Sequence, residues 1–74
     1  MKGQLYKLLK SKALSEREEA ITTLRLMGEY PAGIGDHSTE DFYNNVEEAL
    51  IKLVDADDKL DALEKYKSEL FSPR

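Results

Sequence analysis

The residue types that could do chemistry are concentrated in one short stretch. "YPAGIGDHSTED", residues 30–41, holds two glycines and His37, the only histidine of the 74-residue chain. Glycine-rich turns before a helix bind phosphate through backbone N–H groups, but here no predicted strand precedes the glycines and no lysine follows them. Asp36, His37 and Ser38 are consecutive, and neighbouring side chains rarely point into one another as a nucleophilic triad requires. The stretch therefore predicts a structural turn, with Ser38 as the N-cap of the next helix.

Four aspartates between residues 55 and 61 are the second chemical candidate. Asp55 and Asp57 match the first two ligand positions of a calcium-binding loop. The match ends there, because the third ligand position is Lys59 and the next position, which requires glycine, is Leu60. No pattern in the sequence combines a nucleophile, a base and an oxyanion donor. We therefore predict no metal site, no cofactor and no enzymatic activity.

The third group of candidate functional residues is basic and could bind a negatively charged partner. The formal net charge is -4, yet the first twelve residues contain four lysines and no acid. Tyr6 lies among these lysines, and aromatic and basic residues together suit a nucleic-acid backbone with a stacked base. The predicted nucleic-acid-binding residues are Lys2, Tyr6, Lys7, Lys10, Lys12, Arg17 and Arg25. The simpler alternative is a lysine-rich helix face that is only solvated.

Length and composition limit the scaffold that could present these residues. A chain of 74 residues forms one domain, residues 1–74, with a thin core. It contains no cysteine, so neither a disulfide nor a thiolate zinc site can staple the fold. No apolar run is long enough to span a membrane. We therefore expect a monomeric, cytoplasmic protein with no membrane partner.

The first arm of the chain predicts two helices. The first, from about residue 3 to 11, is marked by apolar residues at helical spacing: Leu5, Leu8, Leu9 and Ala13. Ser15 and Glu18 have the spacing of a capping box, and they predict a second helix over residues 16–28 that ends at Gly28. The buried stripe predicted for this second helix is Ala20, Ile21, Leu24 and Met27.

The second arm begins near Thr39 and carries a longer apolar stripe. The stripe consists of Phe42, Val46, Ala49, Leu50, Leu53, Ala56, Leu60 and Leu63. One interpretation is an uninterrupted helix over residues 39–71, but it would be about 50 Å long, twice the diameter of a compact domain of this size. The interpretation that we favour is a bend at "DADD", residues 55–58, where Asp55 caps a fourth helix.

Together these elements predict an all-α fold class. No segment alternates between apolar and polar residues as a half-buried strand does, and β-branched residues are few. We predict a small antiparallel helical bundle of four helices, arranged as two broken arms that are joined by a Pro/Gly loop at residues 29–38.

Three stretches of the sequence resemble a known family. They are "LSEREEA" in the first arm, "YPAGIGDHS" at the turn and "LVDADDKLDALEKY" in the last arm. Over essentially its whole length, the chain resembles the small proteins encoded directly downstream of the UvsW recombination helicase in T-even bacteriophages. The resemblance implies a setting in DNA recombination and repair in the phage-infected host cell. It brings no family active site to transfer, and by size and helical class the chain is similar to the HRDC modules of RecQ-type helicases.

Two functional hypotheses follow. The first is a non-enzymatic accessory protein that binds single-stranded or branched DNA weakly through the basic first arm. The alternative is an acidic protein-interaction module that docks on the phage recombination helicase or a host factor, with Glu47, Glu48 and Asp61 as contact residues. The overall acidity argues against strong or nonspecific DNA binding, because such binding depends on clustered Lys and Arg.

Overall fold

The protein is an elongated hairpin of helices. The computed structural model describes residues 1–29 and 39–72, and within these ranges nearly every residue is helical and none belongs to a strand. Helix α1 spans Lys2–Glu29, α2 spans Thr39–Lys65 and the short α3 spans Lys67–Phe71. The all-α class is confirmed, with three helices in the described ranges where four helices were predicted.

The first arm is a single helix of 28 residues, so the predicted interruption between its two helices is wrong. Ser15 lies in the middle of α1 and is exposed, and Gly28 lies inside the helix rather than beyond its end. No proline separates the two predicted helices, and serine in a helix interior costs less than about 0.7 kcal/mol relative to alanine. The capping-box pattern alone was therefore too weak a signal to end one helix and begin another.

The second arm passes through the four-residue segment "DADD" without a bend, so the favoured helix restart at Asp55 is wrong. Its predicted beginning at Thr39 is confirmed. The helix is interrupted instead at Tyr66, whose φ of -105° and ψ of 13° depart from helical values, and α3 follows at once. The alternative of an uninterrupted helix over residues 39–71 was therefore closer to the observed structure, although it did not include the break at Tyr66.

The two long helices run antiparallel. Tyr6, near the start of α1, donates a hydrogen bond to Glu64, near the end of α2. The connection between the helices, with the predicted turn and the predicted N-cap at Ser38, lies outside the described residues.

Overall shape explains why the compact bundle was the wrong expectation. The molecule measures 57 × 15 × 15 Å, and its radius of gyration is 16.6 Å. A compact domain of this length would have a radius of gyration of about 11 Å. The length limit that favoured a bend in the second arm assumed a globular domain, and a rod has no such limit.

Small residues hold the two long helices together in a contact termed here the alanine seam. It consists of Ala13 and Ala20 of α1 with Ala49 and Ala56 of α2, each of them at most 5% exposed. In each helix the two alanines are seven residues apart, close to two full turns, so they lie on one face. Because helix separation depends on the side chains at the contact, alanine allows the two backbones to approach closely.

The predicted apolar stripes are only partly in the core. In the second arm the half-buried residues are Phe42, Val46, Leu53, Leu60 and Leu63, whereas Leu50 is exposed. In the first arm Ala13 and Ala20 are buried, and Ile21, Leu24 and Met27 are half-buried. The three leucines that marked the first predicted helix are exposed: Leu5, Leu8 and Leu9.

Candidate nucleic-acid interface

The hairpin brings the beginning of α1 to the end of α2 and to α3, and this junction is built around Tyr6. The Tyr6 ring is buried, and its centre lies 5.5 Å from the centre of the Phe71 ring. Its hydroxyl donates a 2.7 Å hydrogen bond to Oε1 of Glu64. An aromatic ring in contact with another ring, with its polar end bonded, is a stable way to bury tyrosine. Tyr6 therefore joins all three helices.

Lys10 completes this junction from the next turn of α1. Its Nζ lies 3.2 Å from Oε1 of Glu64, so one carboxylate oxygen accepts from both Lys10 and Tyr6. The hydrogen bond from Tyr6 and then that from Lys10 lower the pKa of the Glu64 carboxyl below its usual value. The hydrogen bond to Glu64 is also the main cause that raises the pKa of the Lys10 ammonium.

Cations surround the Tyr6 ring. Nζ of Lys67 lies 4.7 Å from the ring centre and that of Lys10 lies 5.7 Å from it. Both distances are within the range at which an ammonium is attracted to the face of an aromatic ring. The buried ring therefore has two lysine ammonium groups beside it at this end of the rod.

This end of the rod, termed here the terminal basic end, comprises residues 1–12 and 61–72. Its lysines are Lys2, Lys7, Lys10, Lys12, Lys65 and Lys67, and it contains three acidic residues. The rest of the described chain, termed the acidic body, comprises residues 13–29 and 39–60 and contains four basic and eleven acidic residues. The fold thus separates charge along the long axis of the molecule.

The structure distributes the seven predicted binding residues over several environments. Lys2, Lys7 and Lys12 are exposed at the terminal basic end, although Lys7 and Lys12 lie on different faces because five helical residues turn the chain by about 140°. Tyr6 and Lys10 are engaged in the junction with Glu64.

The two arginines of the predicted set lie in the acidic body instead. Arg17 is about 22 Å along the helix from Lys2, and Arg25 about 35 Å, at 1.5 Å per residue. A guanidinium nitrogen of Arg17 lies 3.8 Å from Glu18, and its Nε is buried without a hydrogen-bond partner among the described residues. The arginines and the lysines therefore do not form one continuous patch. That any of the seven residues binds nucleic acid stays a prediction.

Sequence reasoning missed two lysines of this end, Lys65 and Lys67. They are far from the first arm in sequence, and only the antiparallel hairpin places Lys67 beside Tyr6 and Lys65 at the same end of the rod. The signal that could have found them was the length of the two arms: if both arms are straight helices, the chain ends must meet.

The acidic body contains an open groove of about 490 Å³ on one side of the alanine seam. Its charged lining residues are Glu16, Glu19, Glu48, Lys52, Asp55 and Lys59. Nζ of Lys59 lies 3.1 Å from Oε1 of Glu16, which closes one end of the groove with an exposed ion pair. Among the residues that the structure describes, no group of three or more His, Cys, Asp or Glu side chains could hold a metal ion.

The sequence matches no protein-family model and no curated protein, and its structure matches no solved structure. No helix in residues 1–29 and 39–72 is long and apolar enough to cross a membrane.

Proposed function

We propose that the chain is a non-enzymatic accessory module of phage DNA recombination and repair, and that its terminal basic end binds single-stranded or branched DNA weakly. The observation that carries this proposal is the gathering of six lysines at one end of an otherwise acidic rod. The resemblance to the small proteins encoded beside the phage recombination helicase supports the setting.

Contacts to phosphate dominate this mode of binding. Lysines at the end of a rod neutralise phosphates and release counterions, so affinity falls as salt rises. The Tyr6 ring is covered by Phe71 and Lys67, and it does not offer a free face to a nucleic-acid base. We therefore expect binding with little base preference, since contacts to the backbone carry no sequence information.

Fluorescence anisotropy with labelled single-stranded and forked DNA at low salt tests this proposal. Reversing two exposed charges, Lys7→Glu and Lys67→Glu together, should weaken binding at least tenfold, because phosphate contacts become repulsions. The matched control reverses two lysines of the acidic body, Lys52→Glu and Lys59→Glu, with the same change in net charge.

The control separates a local site from a general effect of net charge. Retention of most of the affinity in the control, together with the loss in the terminal variant, supports the terminal basic end as the site. Equal losses in both double variants, or the absence of binding by the unmodified protein, would overturn the proposal.

The acidic body favours a second candidate function, docking on a basic surface of the phage recombination helicase or a host factor. Eleven acidic residues against four basic ones give this region a strong negative potential that attracts a basic partner. Capture of the helicase by the immobilised protein should be lost when Glu47 and Glu48 are both changed to Lys. Unchanged capture by that variant, or no capture by the unmodified protein, excludes docking through these residues.

A further inference from the structure

The two sides of the alanine seam differ in chemistry. Successive helical residues are 100° apart, so the residues that flank the seam divide into two sets. One set lines the polar groove described above. The other set, termed here the apolar flank, consists of Leu14 and Ile21 of α1 with Tyr43, Leu50 and Val54 of α2.

The apolar flank is open to solvent in a single copy of the chain. Tyr43, Leu50 and Val54 are 60%, 51% and 48% exposed, and Leu14 and Ile21 are half-buried. The buried hydrophobic residues of the described chain are Tyr6 and the four seam alanines. A hairpin whose buried core is mostly alanine has little apolar surface removed from water, and small scaffolds of this kind commonly gain stability by association. A contiguous exposed apolar surface beside such a core marks an interaction site.

We propose that the apolar flank binds a second copy of this chain, and that two hairpins form a four-helix bundle with their terminal basic ends on the same side. The two-fold axis runs parallel to the helices, so α1 of each copy packs against α2 of the other. This inference departs from the monomer expected from the sequence, and it does not depend on the proposed DNA binding.

The arrangement follows from matching apolar positions. Within one copy, the contacts of Tyr6 with Glu64 and of Glu16 with Lys59 define which residues of the two helices are level. Because both helices rise 1.5 Å per residue, these two contacts bracket the register of α1 against α2. They place Ile21 level with residues 49–54, which include Leu50 and Val54, and Leu14 level with residues 56–61. In the parallel arrangement Ile21 therefore meets Leu50 and Val54 of the second copy, and the contact occurs twice.

Charge complementarity supports the same arrangement. The edge of α2 beside the apolar flank carries Glu47, Asp57 and Asp61, and the corresponding edge of α1 carries Lys7, Glu18 and Arg25. In the same register Arg25 is level with residues 45–50 of α2, which include Glu47, and Lys7 is level with residues 63–68, two residues from Asp61. The parallel arrangement thus pairs Arg25 with Glu47 and brings Lys7 near Asp61, and one acid of α1, Glu18, comes level with Asp57. The antiparallel arrangement sets the acidic edges of the two α2 helices against each other.

Arg17 provides an independent observation. Its Nε is buried without a partner among the described residues, and its contact with Glu18 is long at 3.8 Å. Arg17 occupies a seam position of α1, one helical turn from both Leu14 and Ile21 of the apolar flank. In the same register it is level with residues 53–58 of α2, which include Asp57. In the parallel bundle it faces Asp57 of the second copy, whose carboxylate can accept from the unsatisfied nitrogen.

The size of the contact is sufficient for a specific dimer. Five large side chains and the aliphatic parts of the flanking charged residues, contributed by each copy, bury on the order of 1,000 Å² in total, which reaches the lower limit for a specific interface. The isologous geometry closes after two copies, so it predicts a dimer and not a filament.

Sedimentation equilibrium tests the association directly. The unmodified 8.4 kDa chain should show twice its mass at high concentration and dissociate on dilution. Leu50→Glu should weaken the association at least tenfold while far-ultraviolet circular dichroism remains helical. The matched control is Leu26→Glu, which alters a leucine of similar exposure, 53%, on the outer face of α1, and which should leave the dimer intact.

Two results would overturn the dimer. The first is an unmodified protein that stays monomeric up to about 1 mM, where even a contact of about 4 kcal/mol would be half formed. The second is equal weakening by the two leucine variants.

The orientation is tested by a distance between spin labels. The chain has no cysteine, and nothing lies within 4 Å of a Cβ atom built at Gly3, so Gly3→Cys provides one labelling position in open space. In the parallel bundle the two labels lie within about 25 Å of each other, since each helix is about 10 Å across. A separation of about 45 Å, expected from 1.5 Å per residue on either side of the flank, would overturn the parallel arrangement.

Discussion

The terminal junction and the alanine seam hold the same two helices together by opposite means. At the junction one large residue, Tyr6, is buried against Phe71 and bonded to Glu64. Along the seam the buried residues are alanines, and the ion pair between the helices there, Lys59 with Glu16, is exposed to solvent.

The two contacts are sensitive to opposite kinds of substitution. A large buried side chain contributes through the area that it removes from water, so truncating it leaves a cavity. A small buried side chain contributes by letting two backbones approach, so enlarging it forces them apart. The junction should therefore be sensitive to loss of volume, and the seam to gain of volume.

The largest effect is expected at the junction. Tyr6→Ala should lower the free energy of unfolding by about 3 kcal/mol, because it removes a buried aromatic ring and its contact with Phe71. Urea unfolding followed by circular dichroism at one fixed protein concentration measures this change. Tyr6→Phe is the control that keeps the ring and removes only the hydroxyl. If Tyr6→Phe lowers the free energy of unfolding as much as Tyr6→Ala does, the hydrogen bond to Glu64 stabilises the junction and the ring does not.

A smaller loss is expected from enlarging the seam. Ala56→Leu should lower the free energy of unfolding by about 2 kcal/mol, since Ala56 is 1% exposed and its surroundings have no room for three more carbon atoms. Ala62→Leu, at an exposed position of the same helix, is the control with the same change of residue. Both variants are compared by urea unfolding. Equal stability of the two variants would mean that the two helices are not held at the close separation that alanine allows.

Part of this fold was predictable from the sequence. The helical class and most of the buried stripe of α2 follow from apolar spacing, which a long amphipathic helix displays plainly. The beginning of α2 follows from the N-cap pattern of the sequence at Ser38. The seam was harder to recognise. Ala13 and Ala20 repeat every seven residues, but Lys10 and Arg17 occupy the intervening seam positions of α1 and hide the apolar pattern.

The candidate nucleic-acid interface was also predictable only in part, because it depends on contacts between residues that are distant in the sequence. The lysines of the first arm are visible in the sequence, but their partners are not. Glu64 and Lys67 reach Tyr6 only because both arms are straight. The sequence-based expectation of two antiparallel arms placed a bend near Asp55, and it did not define which residues of the two arms are level. Local patterns predict helices well, whereas the choice between a globule and a rod depends on packing between distant residues.

The smallest expected effect distinguishes the junction from the seam by its dependence on pH. Because Tyr6 and Lys10 donate to Glu64, its carboxyl has a pKa below the usual 4.5 in the folded protein. The unfolded chain therefore takes up this proton more readily than the folded one, and the stabilisation is present above pH 4.5 and lost as the pH falls through the lowered folded pKa. Glu64→Gln should show a shallower loss of stability between about pH 5 and pH 3 than the unmodified protein, as measured by thermal unfolding. Glu48→Gln, a carboxylate of the polar groove, should keep the steeper loss. Identical pH profiles for the unmodified protein and Glu64→Gln would show that the shared carboxylate does not stabilise the junction. The contact between the Tyr6 and Phe71 rings would then be what distinguishes the junction from the seam.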